Sequence, residues 1–247
     1  MALNPLPKAL FFDVFGTCVD WRKTVTETLI DAASAVGDNT MTPTDWASFA
    51  QAWRTSYLTF TRALAADPSI PYRTVDEHHL ASLQTLLDQH NLSTLWPQHI
   101  VHDLSLIWHR LAPWPDAASG LDQLNSLGIQ TATLTNGNLA LINDLAAFGK
   151  LPFTHVLSAE MFSSYKPNPA VYLGAAEKLG LKPEECGMVA AHLGDLEAAQ
   201  KCGFRTVYVE RKDEERDEGL RGKEGLVDVW VREGEEGFVE VARRLGA

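Results

Sequence analysis

Cysteine is scarce in this 247-residue chain: Cys18, Cys186 and Cys202 are an odd number and form no CxxC pair. That excludes a disulfide framework and reads as a reduced, cytoplasmic protein. Basic residues are outnumbered, with 21 Lys and Arg against 32 Asp and Glu and a formal net charge of -11. A field of that sign argues against nucleic acid and anionic membranes as partners, although a few local cations could still hold a small anion. Long hydrophobic runs are missing as well, so no membrane span is expected. The first eight residues hold Pro5 and Pro7 and little apolar length, unlike a secretory leader. No internal repeat or low-complexity tract is present.

What the chain does have is alternation. Short apolar strand signals at 9–12, 130–134, 155–158, 187–191 and 206–209, with a weaker one at 227–231, are separated by helical patterns. Those patterns cover 117–127, 139–148, 169–179 and 196–202. Strands alternating with helices predict an α/β fold built on a parallel sheet covered on both faces. The rhythm breaks once, between about Trp21 and Pro113, where helical periodicity dominates. Within it, Thr42-Pro43-Thr44-Asp45 has the form of a helix start leading into Trp46–Ala66. This predicts a Rossmann-like core, residues 1–20 and 114–247, with an inserted helical cap over 21–113. The charged stretch 210–223 is expected to be a solvated loop.

The segment Leu10-Phe11-Phe12-Asp13-Val14-Phe15-Gly16-Thr17 carries the chemistry. An apolar strand stops at a carboxylate, a glycine allows a sharp turn, and a hydroxyl follows. Open α/β sheets bind ligands at such strand ends, and a carboxylate held there among backbone N–H groups can act as a nucleophile. Two residues on stands Phe15, which cannot transfer a proton.

Three further pieces follow in order: Leu134-Thr135-Asn136-Gly137-Asn138, Tyr165-Lys166-Pro167, and Met188-Val189-Ala190-Ala191-His192-Leu193-Gly194-Asp195. With the Asp13 segment, these resemble the four motifs of the haloacid dehalogenase superfamily, and within it the L-2-haloacid dehalogenases. The resemblance spans the chain, with the helical insert as the cap. It implies that Asp13 is the nucleophile of a hydrolase that turns short L-2-haloacids into 2-hydroxyacids through an aspartyl ester. It implies Lys166 beside Asp13, and Asp195 as an aid to Lys166 or to water. Arg54, in a Trp53-Arg54 pair followed by Tyr57 and Phe60, would meet the substrate carboxylate and the departing halide, since a guanidinium forks a carboxylate. Thr17, Thr135 and Asn136 would bind the carboxylate, Phe15 would wall the substrate carbon, and Tyr172 matches a family tyrosine. Trp46, Trp53, Tyr57 and Phe60 are candidates for an apolar wall or for ordinary core; Arg62 reads as surface. Family members often pair, which makes a second copy of the chain a candidate partner.

The chain departs from the family in its fourth motif. Where dehalogenases read Ser-Ser-Asn-x-x-Asp, Ala190, Ala191 and His192 precede Asp195. His192 could orient water, act as a base or bind halide. In the phosphatase branch the position of Ala191 carries an acid and that of Phe15 another; without both, no metal and no cofactor are expected. A Mg²⁺-dependent phosphatase and a non-catalytic binding protein are the competing readings.

Overall fold

The computed structural model describes residues 5–67, 69–215 and 217–247. Residues 1–4 of the expected core segment and Arg216 of the charged stretch lie outside the described residues.

Ala9–Phe12 (β1) is an interior strand of the sheet. All four residues are fully buried, and the strand is paired on both sides, in parallel, with Gln130–Thr133 (β2) and Cys186–Ala190 (β3). Arg205–Val209 (β4) and Val229–Val231 (β5) extend the sheet, giving the order β2-β1-β3-β4-β5. The chain moves from β1 to one side and later returns to the other. The crevice beyond the ends of β1, β2 and β3 is therefore a topological switch point, where doubly wound sheets receive ligands. Register makes this concrete: Phe12 lies opposite both Thr133 and Val189, and the next residue, Asp13, donates its N–H to the Val189 carbonyl at 3.0 Å.

Helices cover both faces of the sheet: Ala117–Ser126 (α5), Leu139–Phe148 (α6), Pro169–Lys178 (α7), Leu193–Lys201 (α8), Glu218–Arg221 (α9) and Gly237–Leu245 (α10). Four earlier ones make the insert: Trp21–Ala35 (α1), Pro43–Ala66 (α2), Val75–Gln89 (α3) and Gln98–Ser105 (α4), followed by a short 3₁₀ segment, Leu106–Arg110. The α2 start is the one expected. Thr42 and Asp45 form a capping box, with Asp45 N–H donating to the Thr42 hydroxyl at 3.2 Å and Thr42 N–H donating to the Asp45 carboxylate at 2.8 Å. α8 begins three residues earlier than expected, because His192 already occupies its N-cap position.

Two expectations are corrected. Residues 155–158 do not form a strand; they touch the sheet only through isolated bridges, Ala132 to His155 and Thr135 to Ser158. The reason is the buried Thr133 hydroxyl, which donates to the Leu157 carbonyl at 2.7 Å and accepts from Leu157 N–H at 2.9 Å. A side chain thus takes backbone groups that a ladder would have used. Nor is the 210–223 stretch simply solvated. Arg211 is buried and grips Asp116 through both terminal nitrogens, at 2.7 and 2.8 Å, while its Nε donates to the Thr17 carbonyl at 3.1 Å. It braces the Asp13 loop from behind.

Among the described residues, no helix is long and apolar enough to cross a membrane.

Candidate active site

Asp13 sits on the floor of a cavity of about 630 Å³ that opens between the strand ends and α1 and α2. Its carboxylate is supplied on both oxygens. Lys166 Nζ donates to Oδ1 at 3.0 Å; the Thr17 hydroxyl donates to Oδ2 at 2.8 Å, and His192 Nδ1 lies 3.1 Å from the same oxygen. Burial alone would raise the Asp13 pKa. The Lys166 ammonium, His192 and the Thr17 hydroxyl outweigh it and hold the carboxylate well below its ordinary range. The Asp13 carboxylate is thus held ionised and oriented.

Lys166 is shared. Its ammonium also donates to Asp195 Oδ2 at 2.6 Å, and the Tyr172 hydroxyl donates to Asp195 Oδ1 at 2.5 Å. Burial would lower the lysine pKa, but the two carboxylates raise it. Burial and the neighbouring Asp13 charge push the Asp195 pKa upward, against the pull of Lys166. The loop bearing the lysine is pinned by Asn136. Its Oδ1 accepts Lys166 N–H at 2.7 Å, and its Nδ2 donates to the Lys166 carbonyl at 3.2 Å.

Arg54 comes down from α2 and is buried at the roof. Its guanidinium carbon lies 4.7 Å from the Tyr57 ring centre, 5.4 Å from Phe15 and 5.5 Å from Trp21, and Nη2 reaches the Phe15 carbonyl at 3.4 Å. A cation held by ring faces keeps hydrogen-bonding capacity for an anion entering the cavity.

The expected residues therefore divide. Asp13, Arg54, Asn136, Lys166, Tyr172, His192 and Asp195 all line the cavity. Thr17, Phe15 and Thr135 are not among the described residues that line it. Thr17 acts through Asp13. Phe15 packs edge-on to Tyr57 and Trp108, 5.7 and 5.9 Å away between ring centres, and offers the cavity roof its carbonyl partner rather than a wall. The Thr135 hydroxyl accepts Gly137 N–H at 3.2 Å and shapes the turn. Of the four cap aromatics, only Tyr57 faces the cavity. Trp53 is fully buried, with its ring N–H on Ser82; Trp46 packs on Phe49 and Trp96; Phe60 stacks on His78. Arg62 is exposed, yet it stands at the cavity rim.

Among the lining residues that were not anticipated, two bear on His192. Trp21 lines the cavity at the start of α1, and Glu214 reaches in from the charged stretch. The Trp21 ring N–H donates to Glu214 Oε1 at 2.7 Å, while Glu214 Oε2 lies 3.1 Å from His192 Nε2. Burial alone would lower the His192 pKa; hydrogen bonds and charge from Asp13 and Glu214 instead raise it to about 10. A carboxylate beside each ring nitrogen favours the imidazolium form. Gly16 makes room for this. Its backbone is left-handed (φ 86°), and a Cβ there would collide with the Glu214 carboxylate.

The donor set does not suit magnesium, which wants several hard oxygens in octahedral array. The Asp13 and Asp195 oxygens are bridged by the Lys166 ammonium, and Phe15 and Ala191 bring no side-chain oxygen.

A Rossmann-like parallel sheet under a helical cap, with an aspartate and a lysine facing each other at the strand ends, defines a class, and sequence comparison agrees. The profile of the haloacid dehalogenase-like hydrolases matches residues 7–203, and the chain belongs to that family. Over 104 residues it is 38% identical to (S)-2-haloacid dehalogenase 4A of Burkholderia cepacia, covering 41% of this chain and 45% of that protein. Over 105 residues it is 36% identical to a glyceraldehyde 3-phosphate phosphatase of Methanopyrus kandleri, again over 41% of this chain and 45% of the other. The chain thus spans about half the length of these curated relatives. A solved structure, that of a defluorinating L-2-haloacid dehalogenase, superposes with a TM-score of 0.87 at 30% identity, over 98% of this chain and 96% of that one.

Proposed function

We propose that this protein hydrolyses the carbon–halogen bond of short L-2-haloacids, giving 2-hydroxyacids through an ester on Asp13. The observation that carries the reading is the pairing across one cavity of an ionised Asp13, held by Lys166, with the buried cap arginine Arg54. Residues 21–113 act as the cap that brings Arg54 to the site. The substrate carboxylate and the nascent halide face Arg54. One Asp13 oxygen attacks C2 from the side opposite the halogen, the C–X bond breaks, and halide leaves with the bonding pair. Water then attacks Cγ of the new ester and releases the product, inverted at C2. Splitting a slow displacement into two steps is what covalent catalysis supplies. The three unpaired cysteines fit a reducing, cytoplasmic setting, and a homodimer is part of the same proposal.

Chloride release from L-2-chloropropionate, measured with and without EDTA, tests the reading. EDTA-insensitive release is expected. EDTA-sensitive phosphate release from a generic phosphoester, without chloride release, overturns it in favour of a phosphatase. Silence in both assays favours a binding protein.

A further inference from the structure

The second half-reaction needs a group that can take a proton from water beside Asp13. Asp195 is poorly placed for that, since its oxygens are already occupied by Lys166 at 2.6 Å and Tyr172 at 2.5 Å. Its role is to hold the ammonium. Among the described residues, the titratable groups that touch the Asp13 carboxylate are Lys166 and His192, and the His192 ring is anchored at its far nitrogen by Glu214. Glu214 is itself fixed by the Trp21 ring N–H and shut in by the Gly16 turn.

Resting on the dehalogenase reading above, we propose that His192 is the acid–base residue of ester hydrolysis and that Glu214 is its positioning partner. In the resting site both carboxylates keep the ring protonated. Ester formation changes this, because Asp13 loses its charge and one of the two anions holding the imidazolium disappears. The ring retains an edge open to solvent (29% of its side-chain surface) and can release the Nδ1 proton there. Neutral His192 then presents Nδ1 as a base over the ester carbon, with Nε2–H held on Glu214. As water attacks Cγ, one of its protons passes to Nδ1. When the Cγ–O bond to the product breaks, that proton passes to the departing alkoxide, which leaves as a hydroxyl. The Asp13 carboxyl, far more acidic than usual in this setting, returns its proton to His192 and restores the resting pair. Over the cycle, haloacid and water become hydroxyacid, halide and one proton in solution, and no other reactant is required.

Glu214, the His192 ring and Asp13 form a continuous contact chain, so the dyad substitutes for the serine and asparagine that the fourth motif lacks. Aligned general-base assistance contributes roughly 10²–10⁴-fold in rate. The proposal concerns only the second step, and that makes it separable from a structural role.

Rapid-quench kinetics of the full-length enzyme on L-2-chloropropionate provides the test. In E214Q, nearly isosteric, chloride should appear in a burst of about one equivalent per active site. Lactate should lag, steady-state turnover should fall by about 100-fold, and intact-protein mass should show substrate bound to Asp13. H192Q should give the same burst, and the double variant should be little worse than either single one. If E214Q and H192Q lower the chloride burst and lactate formation in equal proportion, with no covalent adduct, the dyad is overturned while the dehalogenase reading stands. If the wild-type enzyme releases no chloride, the underlying reading falls and this proposal falls with it.

Discussion

His192 and His109 each lie between two carboxylates, one at the floor of the cavity and one at the seam between insert and core. His192 bridges Asp13 and Glu214 at 3.1 Å on either side; His109 bridges Asp144 at 2.8 Å and Asp76 at 3.1 Å. The His109 ring is the better buried of the two, yet His192 has the tighter electrostatic setting. The difference lies in the partners. Asp13 and Glu214 are buried, whereas the Asp144 side chain is 67% exposed, and water screens what it offers. Both rings would be pushed down by burial, and both are raised by their carboxylates, His192 to about 10. Burying the anions, rather than the histidine, makes a charge cluster that chemistry can use. An exposed anion makes one that joins two parts of a protein.

The severest way to break this comparison is to remove the anion that Lys166 and His192 share. Asp13→Asn should reduce turnover by on the order of 10⁴-fold or more while leaving the fold intact. The same change should lower the His192 pKa from about 10 toward that of an ordinary histidine, readable by NMR titration of the ring. Retained turnover would remove Asp13 from its role. An unmoved His192 would mean that Glu214 alone sets its charge.

Arg54 sharpens the contrast from the cap side. It is positioned by rings and a carbonyl, so its charge is available to a substrate, unlike the cations already committed to carboxylates. Arg54→Lys should raise KM and lower kcat, for a loss of about 10- to 100-fold in kcat/KM, because an ammonium cannot fork a carboxylate. Wild-type kinetics for that variant would place Arg54 outside the reaction.

Much of this site was legible because strand-end chemistry is local. A buried apolar run ending in Asp13, the Lys166-Pro167 pair and the Asp195 segment each announce themselves within a few residues, and parallel pairing brings strand ends together. The capping box at Thr42 and Asp45 is equally local. Glu214 could not be seen that way. It belongs to a run of charged residues, and nothing in such a run says which acid turns inward. That depends on β4 lying beside β3 and on a glycine, Gly16, 198 positions away in the chain, leaving space for it. The combination of an absent acid at 15, a glycine at 16 and a histidine at 192 was the available hint that a carboxylate had to arrive from elsewhere. The misread strand at 155–158 has a similar cause, since a threonine hydroxyl and a backbone N–H compete for the same carbonyl and only packing decides.

The seam supplies the smallest effects and the sharpest control. Asp76, at the start of α3, accepts from Asn138 Nδ2 at 2.7 Å and returns its own N–H to Asn138 Oδ1 at 3.2 Å, so insert and core are tied twice around His109. A histidine whose pKa is raised by folding contributes stability that is complete below the unfolded value, about 6.5, and is lost as pH rises through the folded value. Asp76→Asn should therefore cost about 1 kcal/mol at pH 6, a fall in Tm of roughly 2–4 °C for a chain this long, and less at pH 9. Asp144→Asn, at the exposed end, should cost only a few tenths of a kcal/mol. Neither should change kcat, because neither residue touches the cavity. Equal losses at both pH values would show that His109 is held neutral, and a fall in kcat would show that the seam governs how Arg54 is delivered to Asp13.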